Sequence, residues 1–172
     1  MSTLVIVPKK GGKWRIFLHY RELNKATKKD HFPLPFIDQF LDTLVGKKYF
    51  SFLDGYSGYN QINISLEDQD KTTFTCPWGT FAYFVLPFGL CNAPTIFQQV
   101  VISIFADTSH DCMEIYMDDS TKFGVNFEEQ MMNLEKVLVR CQEHNLALNS
   151  EKCFYLKWYL VISYQLQEYK WI

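Results

Sequence analysis

The sequence has no C-x-x-C spacing, and its five cysteines are odd in number. Neither a disulfide framework nor a zinc site is supported, and a reduced intracellular setting is the simpler expectation. The four histidines are scattered and form no metal motif. No signal-peptide pattern follows Met1 and no apolar run nears membrane-spanning length, so the expectation is a soluble, cytoplasmic protein with no membrane partner. Internal repeats, linkers and low-complexity tracts are also missing, which excludes solenoids and tethered arrays. Net charge is small, at −2, but it is segregated. Residues 1–29 hold eight Lys/Arg against one acid, Glu22, a balance of +7, while the remainder carries −9. That asymmetry predicts a basic surface for phosphates and an acidic region able to hold cations. A solvated basic face is the plainer alternative.

What is present is a core. Of 172 residues, 48% are apolar and 17% aromatic, enough for one globular domain and hardly for two. Ser2 to Pro8 and Trp14 to Tyr20 read as a hairpin with a basic, glycine-containing tip at Lys9–Lys13. Ile37, Phe40, Leu41, Leu44 and Val45 mark a helix that Gly46 stops. Tyr49 to Leu53 is a buried strand ending at Asp54. Strands are expected at Thr72–Thr75 and Phe81–Leu86 around Pro77-Trp78-Gly79. A helix follows over Ile96–Phe105. Asn126 and Glu129 form a capping box for a helix whose stripe is Met131, Leu134, Leu138 and Cys141, with Asn145 as its left-handed stop. Leu146 to Leu148 reads as a short strand. The order β-β-α-β-α-β-β-α-β-β-α-β indicates an α+β domain, helices layered on a mostly antiparallel sheet.

The chemistry centres on Tyr116-Met117-Asp118-Asp119, placed between Cys112–Tyr116 and Ser120–Gly124 as a β-hairpin tip. Adjacent acids at a turn are ordinarily solvated. Asp54, 64 residues earlier, also follows a sheet strand, although an N-cap role suits it equally well. If the strands are neighbours, three carboxylates converge and raise one another's pKa unless hard cations are present. Two Mg²⁺ ions would resolve the repulsion and suit an in-line displacement at phosphorus. A single structural cation in a plain α+β domain is disfavoured, because nothing supplies the six to eight oxygens of a calcium cage.

Leu53-Asp54-Gly55-Tyr56-Ser57-Gly58-Tyr59, Leu86-Pro87-Phe88-Gly89-Leu90-Cys91-Asn92-Ala93-Pro94 and Tyr116-Met117-Asp118-Asp119 occur in order after Trp14-Arg15, Tyr20-Arg21 and Leu23-Asn24. This set, over residues 3 to about 153, resembles the reverse transcriptase of gypsy-class long-terminal-repeat retrotransposons, particularly plant elements. The resemblance implies a right-hand polymerase fold, with fingers and an antiparallel palm sheet backed by helices over residues 1–159. It implies an RNA-directed DNA polymerase using two Mg²⁺ ions, with Mn²⁺ as a substitute, in the cytoplasm or a retroelement particle. The implied partners are an RNA or DNA template with primer, and dNTPs. Thumb, connection, RNase H and integrase regions of a parent polyprotein are expected to lie elsewhere.

Carried over by motif, Asp54, Asp118 and Asp119 are the catalytic metal ligands, assisted by the Gly55 carbonyl. Tyr59 is the aromatic under the incoming sugar, where a core tyrosine is the alternative. Arg15, with Lys10 or Lys9, holds the triphosphate, and bidentate geometry favours Arg15. Phe88 and Gly89 lie along the nucleotide and template, Met117 and Tyr116 near the primer end. Lys152 matches a lysine that protonates the leaving pyrophosphate, against a plain surface lysine. Three departures stand out. His19 replaces a usual Asp. Lys122 falls where an apolar residue is usual and could pair with one of the acids, competing with metal. After Cys153 the expected Leu-Gly-His-like primer grip gives way to Leu160-Val161-Ile162-Ser163-Tyr164-Gln165. One inserted base in a permitted codon choice for those six residues restores Leu-Gly-His-Lys-Leu-Ser. Residues 160–172 are therefore expected to be a divergent, frameshifted tail, with the chain truncated after the palm. The alternative function is a catalytically inactive retroelement fragment that binds nucleic acid weakly.

Overall fold

Strand and helix formation follows local chemistry at most positions, and the structure, a computed structural model, describes residues 3–8, 12, 14–33, 36–107, 112–117 and 119–158. They form two compact units, Met1–Phe32 with Ser57–Phe97, and Pro33–Tyr56 with Gln98–Ile172.

In the first unit, β1 (Thr3–Pro8) and β2 (Trp14–His19) pair antiparallel, with Val7 opposite Arg15. The expected basic tip lies almost wholly outside the described residues. Helix α1 (Arg21–Ala26) follows at once, and Thr27 Oγ1 donates back to the Leu23 carbonyl at 2.7 Å. A single turn, α3 (Leu66–Gln69), precedes the small hairpin of β4 (Phe74–Cys76) and β5 (Gly79–Phe81). This hairpin is shorter than expected. Beyond Phe81 the chain makes only an isolated bridge, Asn63 with Val85, because Ile64 and Leu86 exchange their backbone bonds with Phe84 and Ile62 instead.

The second unit holds a four-stranded sheet in the order β6 (Met113–Tyr116), β7 (Asp119–Gly124), β3 (Tyr49–Asp54), β8 (Phe154–Trp158), with every pair antiparallel. Side chains alternate across a strand. Phe50 and Phe52 of β3 therefore share a face with Asp54, and they pack with Phe123, Leu44 and Phe40, the last two from α2 (Ile37–Leu44). Ser51 points the other way and accepts a bond from Gln130 Nε2 at 3.0 Å, in α5 (Phe127–Glu143). Each fully buried aliphatic or aromatic side chain here contributes roughly 1.5–3 kcal/mol.

Asn126 caps α5 as expected, its Oδ1 accepting from Glu129 N at 2.8 Å, and Asn145 has φ 53°. The stripe differs from expectation. Gln130, Asn133, Leu134, Val137 and Cys141 are buried, while Met131 and Leu138 are exposed. Polar residues on the buried face disguised its phase. Gly124, at the end of β7, has no room for a side chain, since a Cβ would sit 2.9 Å from the Gln130 backbone nitrogen. Leu146–Leu148 is not a full strand; it makes one bridge, Leu148 to Gly55. The outer strand β8 is an addition that the sequence pattern did not reveal. The tail 160–172 lies outside the described residues.

Candidate active site: a carboxylate pair at a strand end

Asp54 and Asp119 close the β3–β7 ladder as direct cross-strand partners. Side chains in such positions have Cβ atoms about 4.5–5.5 Å apart, and like charges there repel. The expectation that separate strand ends bring these acids together is met for this pair. Asp118 lies outside the described residues. Asp54 is largely buried, and three bonds hold its backbone and that of nearby Tyr56. The Asp54 carbonyl accepts from Asn149 N at 2.8 Å, its N–H meets Cys153 Sγ at 3.4 Å, and Tyr56 N donates to the Ala147 carbonyl at 2.9 Å. The turn at Asn149–Cys153 thus clamps the strand end. It also delivers Lys152, whose Nζ lies 2.9 Å from Asp54 Oδ2.

The hairpin tip is strained, with Met117 at φ 53°. Its geometry is fixed by Gln98, which is buried in α4 (Ala93–Ile104). Gln98 Oε1 accepts from Met117 N at 2.6 Å, and Gln98 Nε2 donates to the Ile115 carbonyl at 3.1 Å. One amide therefore holds the β6 arm and the tip residue that follows it. The sequence signal for this role is a polar Gln98-Gln99 pair inside the amphipathic run Ile96–Ile104. Tyr116 places its ring 5.8 Å from that of Phe40.

Lys122 does not pair with a carboxylate among the described residues. It is fully buried in β7, and its Nζ donates to Cys112 Sγ. Burial pulls its pKa below the usual lysine range, partly offset by that thiol contact. The lysine that meets Asp54 is Lys152, not Lys122.

In the first unit, Tyr59 is half-buried, with ring centroids 5.0 Å from Phe88 and 5.5 Å from Phe97. Phe88 also meets Phe17 edge-on at 6.3 Å. Gly89 has φ +104°, and a Cβ there would lie 2.7 Å from the Leu18 carbonyl oxygen. That position is glycine for steric reasons, and the Gly89 carbonyl accepts from Asn24 Nδ2 at 2.8 Å. Lys10 is outside the described residues, and Arg15 is placed by its backbone alone, opposite Val7. The sequence-derived set therefore divides: Asp54, Gly55, Tyr116, Met117, Asp119 and Lys152 fall in one unit, Tyr59, Phe88 and Gly89 in the other.

Among the described residues no three His, Cys, Asp or Glu side chains cluster as a metal site. The donor chemistry nevertheless fits hard cations. Two carboxylates oppose each other at a strand end, and an ammonium already occupies one of their oxygens. A divalent cation satisfies the same demand with more charge.

An antiparallel sheet presenting opposed acids at its strand ends, with helices on both faces, is the palm of a right-hand polymerase. The solved foamy viral protease-reverse transcriptase in complex with double-stranded DNA matches with TM-score 0.83 and 28% identity, covering 91% of this chain and 32% of that one. The same enzyme in complex with an RNA/DNA hybrid matches with TM-score 0.80 and 26% identity, over 88% and 20%. The chain belongs to the reverse transcriptase (RNA-dependent DNA polymerase) family, whose pattern matches residues 7–171. Relatives include the retrovirus-related Pol polyprotein from transposon 412 of Drosophila melanogaster, 40% identical over 88% of this chain and 13% of that polyprotein. The transposon Tf2-3 polyprotein of Schizosaccharomyces pombe is 34% identical, over 96% and 12%. This chain thus spans about an eighth of the length of these relatives. No helix among the described residues is long and apolar enough to cross a membrane.

Proposed function

We propose that this chain performs RNA-directed DNA synthesis, transferring a nucleotide from a dNTP to a primer 3′-hydroxyl. The observation that carries the proposal is the Asp54–Asp119 cross-strand pair with its cationic partner Lys152. Asp54, Asp118 and Asp119, with the Gly55 carbonyl, would hold two Mg²⁺ ions, or Mn²⁺ in their place. Such ions would supply Lewis acidity toward the primer hydroxyl and positive charge toward the leaving pyrophosphate. Met117 and Tyr116 set the primer end, and Gln98 keeps their backbone in register. Tyr59 stands under the sugar and disfavours a 2′-hydroxyl. Phe88 and Gly89 line the nucleotide and template, while Arg15 and Lys10 hold the triphosphate. Lys152 gives its proton to the pyrophosphate, a reading supported by its position 2.9 Å from Asp54 Oδ2.

Residues 1–159 act as one fingers-palm domain, with 160–172 a divergent tail. Its source is a gypsy-class retrotransposon of plant type; the transposon polyprotein relatives support a retrotransposon source, and the plant type rests on the ordered motifs alone. Its setting is the cytoplasm or a retroelement particle, and thumb, connection, RNase H and integrase regions belong to the parent polyprotein. A second reading, an inactive fragment that binds nucleic acid weakly, is favoured by the buried Lys122 in the catalytic hairpin.

Primer extension on an RNA template with Mg²⁺ separates the two. Extension that disappears in Asp54→Ala and Asp118→Ala is the expected result. Extension that persists in both variants overturns the site, and extension absent from the parent supports the inactive fragment.

A further inference from the structure

The carboxylate site makes no use of a second cation, Lys122, and its circumstances are unusual. It has no exposed surface, although its cross-strand neighbours Ser51 and Met113 and the adjacent Thr121 carry no charge to pair with it. Its amine donates to Cys112 Sγ, and Cys112 itself is only partly buried. Lys122 pairs across the ladder with Met113, the residue next to Cys112, so the contact spans the base of the β6–β7 hairpin. A nucleophilic amine against a partly buried thiol has a defined oxidative chemistry.

We propose that Cys112 and Lys122 form a reversible sulfur–nitrogen cross-link when the protein meets a peroxide. Hydrogen peroxide first oxidises the Cys112 thiol to a sulfenic acid, and the peroxide is reduced to water. The Lys122 amine then attacks that sulfur. The S–O bond breaks, the S–N bond forms, and the departing hydroxide leaves as water with one amine proton. The net change is the loss of two hydrogens from the protein and the reduction of one peroxide to two waters. Excess thiol reverses it, cleaving the S–N bond to restore thiol and amine while two reducing thiols become a disulfide.

Position favours this route over the alternatives. The attacking amine must be neutral, and burial pulls Lys122 toward the neutral form. The contact is already made in the folded chain, so no rearrangement precedes the reaction, and a preset contact of this kind gains the large rate advantage of intramolecularity. Cys141 and Cys153 are buried and have no comparable lysine contact among the described residues. Because the bond would join the residue before β6 to β7, it pins the hairpin whose other end carries Asp119.

The full chain, treated with hydrogen peroxide and then alkylated, is to be analysed by intact mass and tryptic mapping. The expected product is two hydrogens lighter, with a peptide joining Cys112 to Lys122 and no tryptic cut after Lys122. Dithiothreitol should abolish it, and Cys112→Ser and Lys122→Met should each lack it. Lys122→Met keeps an apolar side chain of similar length, so a folded variant that still shows the mass loss overturns the assignment. So does a parent protein in which Cys112 becomes a sulfinic acid or a disulfide while Lys122 remains cleavable by trypsin.

Discussion

Two lysines in the same unit have opposite fates, and both are measurable. Lys152 is more than half exposed, and its pair with Asp54 resembles a surface ion pair worth about 0–1 kcal/mol. Removing it as Lys152→Met frees one carboxylate oxygen for metal. Mn²⁺ should then bind up to about fivefold more tightly by calorimetry or electron paramagnetic resonance, the counterpart of that energy. Weaker binding would show that the ammonium supports the site. Lys122 is buried against Cys112, with Lys136 of α5 as the further charge that disfavours its ionised form. Its folded-state pKa is depressed, so the unfolded chain binds the extra proton in the window from about 10.4 downward to the folded value. Stability should therefore rise with pH across that window, by up to about 1.4 kcal/mol per pH unit, and fall as the solution becomes less alkaline. In Lys122→Met this slope should vanish, and the variant should gain roughly 1–4 kcal/mol at neutral pH. Urea titrations of both proteins at several pH values check the sign and the gain.

At the scale of elements, the hairpin tip depends on a helix that is distant in sequence. Gln98 satisfies the Met117 N–H and the Ile115 carbonyl together. Gln98→Met keeps the volume and loses both bonds, leaving buried backbone groups that cost about 1–3 kcal/mol each. Hydrogen exchange should show the Met117 amide losing protection while amides of α5 keep theirs. Unchanged protection at Met117 would mean that the tip holds its left-handed conformation unaided. Local features of this kind were legible where the signal lies within a few residues. The Asn126–Glu129 box, the Asn145 stop and strand β3 needed only nearby chemistry. The buried face of α5 was not legible. Gln130 is buried because Ser51 and the Lys122 carbonyl, far along the chain, receive its amide protons. Strand β8 was hidden for the same reason, since it exists through pairing with Tyr49 and Phe50, about a hundred residues earlier.

For the whole molecule, charge segregation carries the expectation. The +7 balance of residues 1–29 predicts template binding through phosphates, even though the net charge is −2. Affinity for a primer–template should fall steeply between 50 and 200 mM salt, on the order of tenfold or more if several phosphates are contacted. Fluorescence anisotropy across that range checks it, and a flat response would remove the basic N-terminal segment from the binding surface. The sequence by itself determined the family and the candidate acids, because ordered short motifs and strand-end carboxylates are properties of composition and spacing. Tertiary structure alone decided which cation meets which acid. It set Lys152 on Asp54, turned Lys122 inward to a thiol, and placed Gln98 under the tip. Those pairings join residues from distant parts of the chain, and only folding sets their distances.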